Sequence, residues 1–249
     1  MNIITIIPAR MGNSRFPGKP MAKILGKPMV GHVYEGVNTN TDFHRVVVAT
    51  CDMEIYSYIK SIGGEVVMTS THHERASDRC AEALLKIEKK ENRKFDIVVM
   101  VQGDEPMTKL EMIKEAIQPM INDPKIMVVN LMSKIDLINE FEDLNCIKVV
   151  CDLDTFALYF TRNPIPSNTR NSKITMYKQV CIIPFKRDFL IQYNNLTPTP
   201  LEIAESVDMN RVLEHGFKVK MVETNYVSFP VDTQHDLIKV ESIMKSKKG

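Results

Sequence analysis

The chain has 249 residues, room for one large α/β domain or two small ones around a real hydrophobic core. Apolar residues make up 44% and charged residues 25%, the mix of an ordinary globular protein. Lys and Arg number 32 against 31 Asp and Glu, a balance that argues against a general nucleic-acid or anionic-membrane surface yet leaves room for one local anion site.

The N-terminus, MNIITIIPAR, has no basic region ahead of its apolar residues and reads as a buried strand rather than a signal peptide. No apolar run approaches the ~20 residues that a bilayer span needs, so no membrane role is expected. Five cysteines (Cys51, Cys80, Cys146, Cys151, Cys181) are odd in number and form no CxxC, which suggests reduced, buried thiols in a cytoplasmic protein.

Strands are predicted at Ile3–Ile7, Val46–Ala49, Gly64–Met68 and Asp96–Val101. Between them lie helical patterns at about Met29–Asn38, Met53–Ile62 and Ala76–Lys89. The alternation βαβαβαβ implies a parallel sheet with helices on both faces. A helix at about Leu110–Met120 and a strand at Ile126–Leu131 follow. From about 145 the pattern loosens. Cys146–Cys151 and Thr155–Phe160 resemble a hairpin around Asp152–Asp154, and Gln179–Phe185 reads as one more strand of a β-rich insertion. Thr199-Pro200-Leu201-Glu202 has the form of a capped helix start. A last strand is expected at Lys218–Val222 and a last helix at Gln234–Lys245.

In open α/β sheets, ligands bind beyond the carboxyl ends of the strands. The first strand runs into Ala9-Arg10-Met11-Gly12-Asn13-Ser14-Arg15-Phe16-Pro17-Gly18-Lys19. Backbone N–H groups, Ser14 and the charges of Arg10, Arg15 and Lys19 suit a triphosphate. The spacing of Gly12 and Lys19 is wrong for a Walker A loop. A solvated basic turn is the alternative. The fourth strand leads into Gln102-Gly103-Asp104-Glu105-Pro106, which puts Asp104 where Mg²⁺ is held by one or two carboxylates and substrate phosphates. Glu105 is expected to cap the next helix or to point outward. Asp232, just before the last helix, is either a second metal carboxylate or a helix N-terminal acid. None of the six histidines stands out as a base, and the His72-His73 pair suits a surface loop.

The segments IIPAR…SRFPGKP, VQGDEPM, IKVV…ALYFTRNPIP, PTPLE and VDT resemble the 3-deoxy-manno-octulosonate (Kdo) cytidylyltransferases over nearly the whole chain. The resemblance implies a nucleotide-diphospho-sugar transferase fold, a Rossmann-like α/β sheet. It implies a single nucleotidyltransferase domain over 1–249, with a β-rich insertion at about 145–190 that forms a homodimer. It also implies Mg²⁺-dependent transfer of CMP from CTP to a small acidic sugar, for lipopolysaccharide or another surface glycan.

Carried over by position, Arg10, Lys19 and Asp104 are catalytic. Pro8, Ala9, Ser14, Arg15, Ser77, Arg79 and Gln102 join Arg10 and Lys19 around the nucleotide. Asp104 and Asp232 hold metal, and Arg162, Gln179 and Asp208 face the sugar. The chain departs from the family at Arg75–Arg79 (RASDR for SGTER), at Gln179–Ile183 (QVCII for HLGIY) and at Asp208-Met209 (for Glu-Gln). Loss of a tyrosine hydroxyl at Ile183 and of an amide at Met209 suggests an acceptor pocket altered on the sugar side. The alternatives are a modified ulosonate, a sialic-acid-like sugar or a sugar phosphate as acceptor, or a non-catalytic nucleotide-binding relative.

Overall fold

A computed structural model describes residues 1–12, 15–38, 44–136, 138–167 and 174–246. By its internal contacts the chain divides into two compact units, Met1–Ile113 with Val227–Gly249, and Lys114–Tyr226.

The first unit begins with β1 (Ile3–Ala9), two short paired strands β2 (Lys23–Ile24) and β3 (Lys27–Pro28), and α1 (Met29–Val37). It continues through β4 (His44–Thr50), α2 (Met53–Ser61), β5 (Val66–Met68), α3 (Ala76–Glu91) and β6 (Ile97–Val101). Strands β6, β1, β4 and β5 lie side by side in that order, all parallel, with Ile6 opposite both Val47 and Met100. Ile4, Ile6, Ile7, Val47, Val48 and the whole of β6 are buried, as expected of parallel strands covered on both faces. On α3 the buried residues Cys80, Ala83, Leu84 and Ile87 recur at helical spacing and form its core-facing stripe. The helix ends where Asn92 turns left-handed, φ +50°.

After α4 (Leu110–Asn122) the second unit runs through β7 (Val129–Lys134), α5 (Ile138–Glu142), β8 (Lys148–Cys151), β9 (Ala157–Thr161), β10 (Tyr177–Val180) and β11 (Ile182–Lys186). It closes with α6 (Arg187–Asn194), α7 (Pro200–Glu205), α8 (Asp208–Glu214) and β12 (Lys220–Glu223); the chain then finishes with α9 (Gln234–Ser246). One sheet has the order β12-β7-β10-β8-β9. The expected hairpin is present as β8 and β9, and its turn is tied by the Asp152 carboxylate, which accepts the Phe156 N–H at 2.8 Å.

The single strand expected over Gln179–Phe185 is in fact two, broken at Cys181. Just before the break, the buried Asn130 side-chain amide donates to the Val180 carbonyl at 2.7 Å and to the Leu131 carbonyl at 2.8 Å. At α7 the Glu202 carboxylate reaches back to the Thr199 N–H at 3.3 Å, as the sequence suggested. The same carboxylate also forms a buried pair with Arg211 at 2.7 Å.

The cysteines are all free thiols, but only Cys80 is buried; the other four are half-exposed, contrary to expectation. Among the described residues, no helix is long and apolar enough to cross a membrane.

Candidate active site

Strand β1 delivers Pro8 and Ala9, both buried, to the start of the basic loop. Strand β6 delivers Gln102, Gly103 and Asp104 beside them. A Cβ on Gly103 would stand 2.9 Å from the Pro8 carbonyl oxygen, so only glycine lets the two strand ends come this close. The loop is then folded back on itself. Gly18, at φ +74°, donates its N–H to the Met11 carbonyl at 3.0 Å, and Lys19 opens a short 3-10 turn, Lys19–Met21. Asp52 occupies the position before α2, where a side chain usually caps the helix. Its carboxylate instead accepts the Met11 N–H at 2.8 Å. Asp52 is a loop anchor that went unrecognised in the sequence, although an acidic residue directly after β4 is the same kind of mark that drew attention to Asp104.

Lys19 is buried, and its ammonium joins the two acids expected to hold metal. It donates to Asp104 Oδ2 at 2.7 Å and to Asp232 Oδ1 at 3.3 Å, while Arg15 reaches the same Asp232 oxygen at 3.0 Å. Burial alone would lower the Lys19 pKa, but the charges and hydrogen bonds of Asp104 and Asp232 outweigh it and hold the ammonium above the usual lysine value.

Two contacts bring Asp232 to this place from far along the chain. The Val231 N–H donates to the Asp104 carbonyl at 2.9 Å, and the Ser228 hydroxyl donates to the Glu105 carboxylate. Glu105 therefore does not point outward; it is buried, 1% exposed, where it can hold the returning segment. At the start of α9, Thr233 Oγ accepts the Asp236 N–H at 3.3 Å while the Asp236 carboxylate accepts the Asp232 and Thr233 N–H groups at 3.1 and 2.8 Å, and the Asp232 carboxylate turns to Lys19 and Arg15.

Asp104 and Asp232 offer oxygen donors only, and both remain partly exposed. Among the described residues no group of three or more His, Cys, Asp and Glu side chains converges as a metal site. A pair of carboxylates sharing one cation fits Mg²⁺, which takes one or two carboxylates and fills its octahedron with water and phosphate oxygens.

The remaining nucleotide-side residues are disposed in different ways. Arg10 is exposed and donates to the His73 carbonyl at 3.1 Å, and His73 in turn binds Glu82 at 2.5 Å. Ser77 is fully buried. Arg79 is 2% exposed; one terminal nitrogen binds Thr69 and the Ser70 carbonyl, while Nη2 is buried with no hydrogen-bond partner among the described residues. Gln102 is half-buried, and its carbonyl accepts the Glu105 N–H at 3.3 Å. Ser14 lies outside the described residues.

The three residues expected at the sugar belong to the second unit. Arg162 donates through its guanidinium to the carbonyls of Glu205 at 2.7 Å, Leu144 at 3.0 Å and Ser206 at 3.5 Å. Its own carbonyl accepts the fully buried Lys148 ammonium at 2.7 Å. Gln179 is half-exposed and donates to Asn130 Oδ1 at 2.5 Å. Asp208 opens α8, and its carbonyl accepts the Tyr193 hydroxyl at 3.2 Å. Ile183 and Met209 are buried, 3% and 0% exposed, so these two departures from the family pattern sit in packed surroundings.

Residues 4–222 match the family model described as cytidylyltransferase. The chain is similar to the 3-deoxy-manno-octulosonate cytidylyltransferase of Geobacter metallireducens, 42% identical over 252 residues that cover 96% of each chain. The protein of the same name from Fusobacterium nucleatum is 36% identical over 245 residues, 98% of each. Among solved structures, the fold is similar to that of CMP:2-keto-3-deoxy-manno-octonic acid synthetase complexed with CTP. That match has a TM-score of 0.89 and 34% identity, and covers 99% of this chain and 100% of the other.

Proposed function

The chain belongs to the cytidylyltransferase family, and we propose that it transfers CMP from CTP to 3-deoxy-manno-octulosonate, releasing pyrophosphate. The observation that carries this is the convergence of Lys19, Asp104 and Asp232 at the ends of β1 and β6, where the anionic end of a nucleotide would be met by fixed charge. The names of the relatives supply the sugar.

In the proposed reaction the anomeric hydroxyl of the sugar forms a bond to the α-phosphorus of CTP. The bond to the β-phosphate oxygen breaks, and the hydroxyl proton passes to solvent. Arg10 and Lys19 would bind the triphosphate, with Arg15 beside them, and the loop anchored by Asp52 would hold these cations in place. Ala9 and Gln102 would border the base. Mg²⁺ held by Asp104 and Asp232 would neutralise phosphate charge and align the oxygens. Positioning and charge neutralisation are then the main contributions of the chain. Arg162, Gln179 and Asp208 are assigned to the acceptor by resemblance. A homodimer and a cytoplasmic location belong to the same proposal.

The test is pyrophosphate release with CTP held constant and a panel of sugar acids as acceptors. Kdo is expected to be the best acceptor. Release with an amino- or deoxy-modified ulosonate in preference to Kdo would move the acceptor assignment. No release with any sugar acid would remove the catalytic one.

A further inference from the structure

Asp104 and Asp232 carry two negative charges, and Lys19 and Arg15 set two positive charges directly against them. The group is electrically balanced by side chains alone. Lys19 is the inner member, its side chain 8% exposed, and two of its three ammonium N–H groups are spent on the two acids. A divalent cation approaching the carboxylates meets an ammonium already bonded to both, so like charges would crowd one small space. The conflict is relieved if an anion draws the ammonium away. The main chain at Lys19 is fixed by the Gly18 turn, so the flexible side chain alone has to swing.

Resting on the assignment of these two acids as metal carboxylates, we propose that Lys19 is their built-in counter-ion. The site takes a divalent cation together with a polyphosphate, and disfavours the cation alone. The polyphosphate accepts Lys19 as the carboxylates exchange it for metal. The coupling is reciprocal, so metal raises polyphosphate affinity by the same factor. Arg15, about half-exposed and bonded to Asp232 at 3.0 Å, is the lesser part of the device.

Mn²⁺ binding to the full chain, followed by the loss of its free electron-paramagnetic signal without nucleotide, tests this directly. The wild type is expected to bind Mn²⁺ alone weakly, and pyrophosphate should tighten binding by roughly tenfold or more beyond the solution Mn²⁺–pyrophosphate equilibrium, within the usual range of coupling. Lys19→Met should bind Mn²⁺ alone about tenfold more tightly than the wild type and lose most of the pyrophosphate effect. Unchanged or weaker Mn²⁺ binding in Lys19→Met, with its circular dichroism intact, overturns the proposal. If Lys19→Met does not fold, Lys19→Gln is measured in its place, and the wild-type pyrophosphate effect stands as an independent arm whose absence also overturns it. Asp104→Asn separates this from failure of the metal assignment. Loss of Mn²⁺ binding on Asp104→Asn without a gain on Lys19→Met sinks only the counter-ion role, whereas Mn²⁺ binding indifferent to Asp104→Asn sinks the metal site itself.

Discussion

Asp232 and Asp236 stand one helical turn apart, and the structure gives them different tasks. Asp236 accepts the Asp232 and Thr233 N–H groups and so fastens the turn that leads into α9, whereas Asp232 faces Lys19 and Arg15. Their isosteric amides should therefore fail differently. Asp232→Asn is expected to keep its fold and to lose roughly a hundredfold in kcat/KM, the equivalent of about 3 kcal/mol of phosphate charge stabilisation. Asp236→Asn should keep activity near normal and lose about 1 kcal/mol of stability, as for a helix cap. Steady-state kinetics and urea unfolding on both proteins check the division, and the reverse pattern would reassign the two acids. From sequence alone both tasks were open to Asp232, because each needs only an acid before an apolar helix. What separates them is the Val231–Asp104 contact, which sequence spacing does not reveal. The burial of Glu105 was hidden for the same reason: its partner Ser228 lies 123 residues away.

At the scale of elements, α3 is fastened to the loop that precedes it through Glu82. Burial would push this carboxyl up, but hydrogen bonds from Lys86, the Ser70 N–H and His73 outweigh burial and bring it down to about 2 from 4.5. A carboxylate held below its unfolded value stabilises the fold above about pH 4.5, and that contribution is lost as the pH falls toward about 2. Glu82→Gln should therefore lower the thermal midpoint at pH 7, and the gap to wild type should close across that acidic window. A gap of constant size would show that the hydrogen bonds, not the charge, matter. Arg10 donates to the His73 carbonyl, so the same fastening bears on the basic loop.

The first half of the chain was legible because buried parallel strands are continuous apolar runs and α3 carries a clear stripe. Helices α5 and α6 were not anticipated; each is short, at five and eight residues. The break at Cys181 was hidden too, since VCII is a continuous apolar run with no local stop signal.

At the scale of the molecule, the sheet of the second unit ends at β9, and its hairpin carries Leu153 wholly exposed and Leu158 61% exposed. Exposed apolar side chains on one hairpin suit burial against a second copy. The proposed dimer is expected to depend on them: Leu158→Glu should shift the mass in sedimentation velocity from dimer to monomer at micromolar concentration. A dimer untouched by this change would put the interface elsewhere.

The first unit is written in two instalments, Met1–Ile113 and Val227–Gly249, and the staple of Ser228 on Glu105 joins them. A nascent chain emerging at several residues per second waits on the order of ten seconds between making Glu105 and making Ser228. During that interval Lys19 already has Asp104 available, but Asp232, 213 residues downstream of Lys19, does not yet exist. On the ribosome, then, the cation is in place before its second acid, and the site is completed only once the segment carrying Asp232 has been translated.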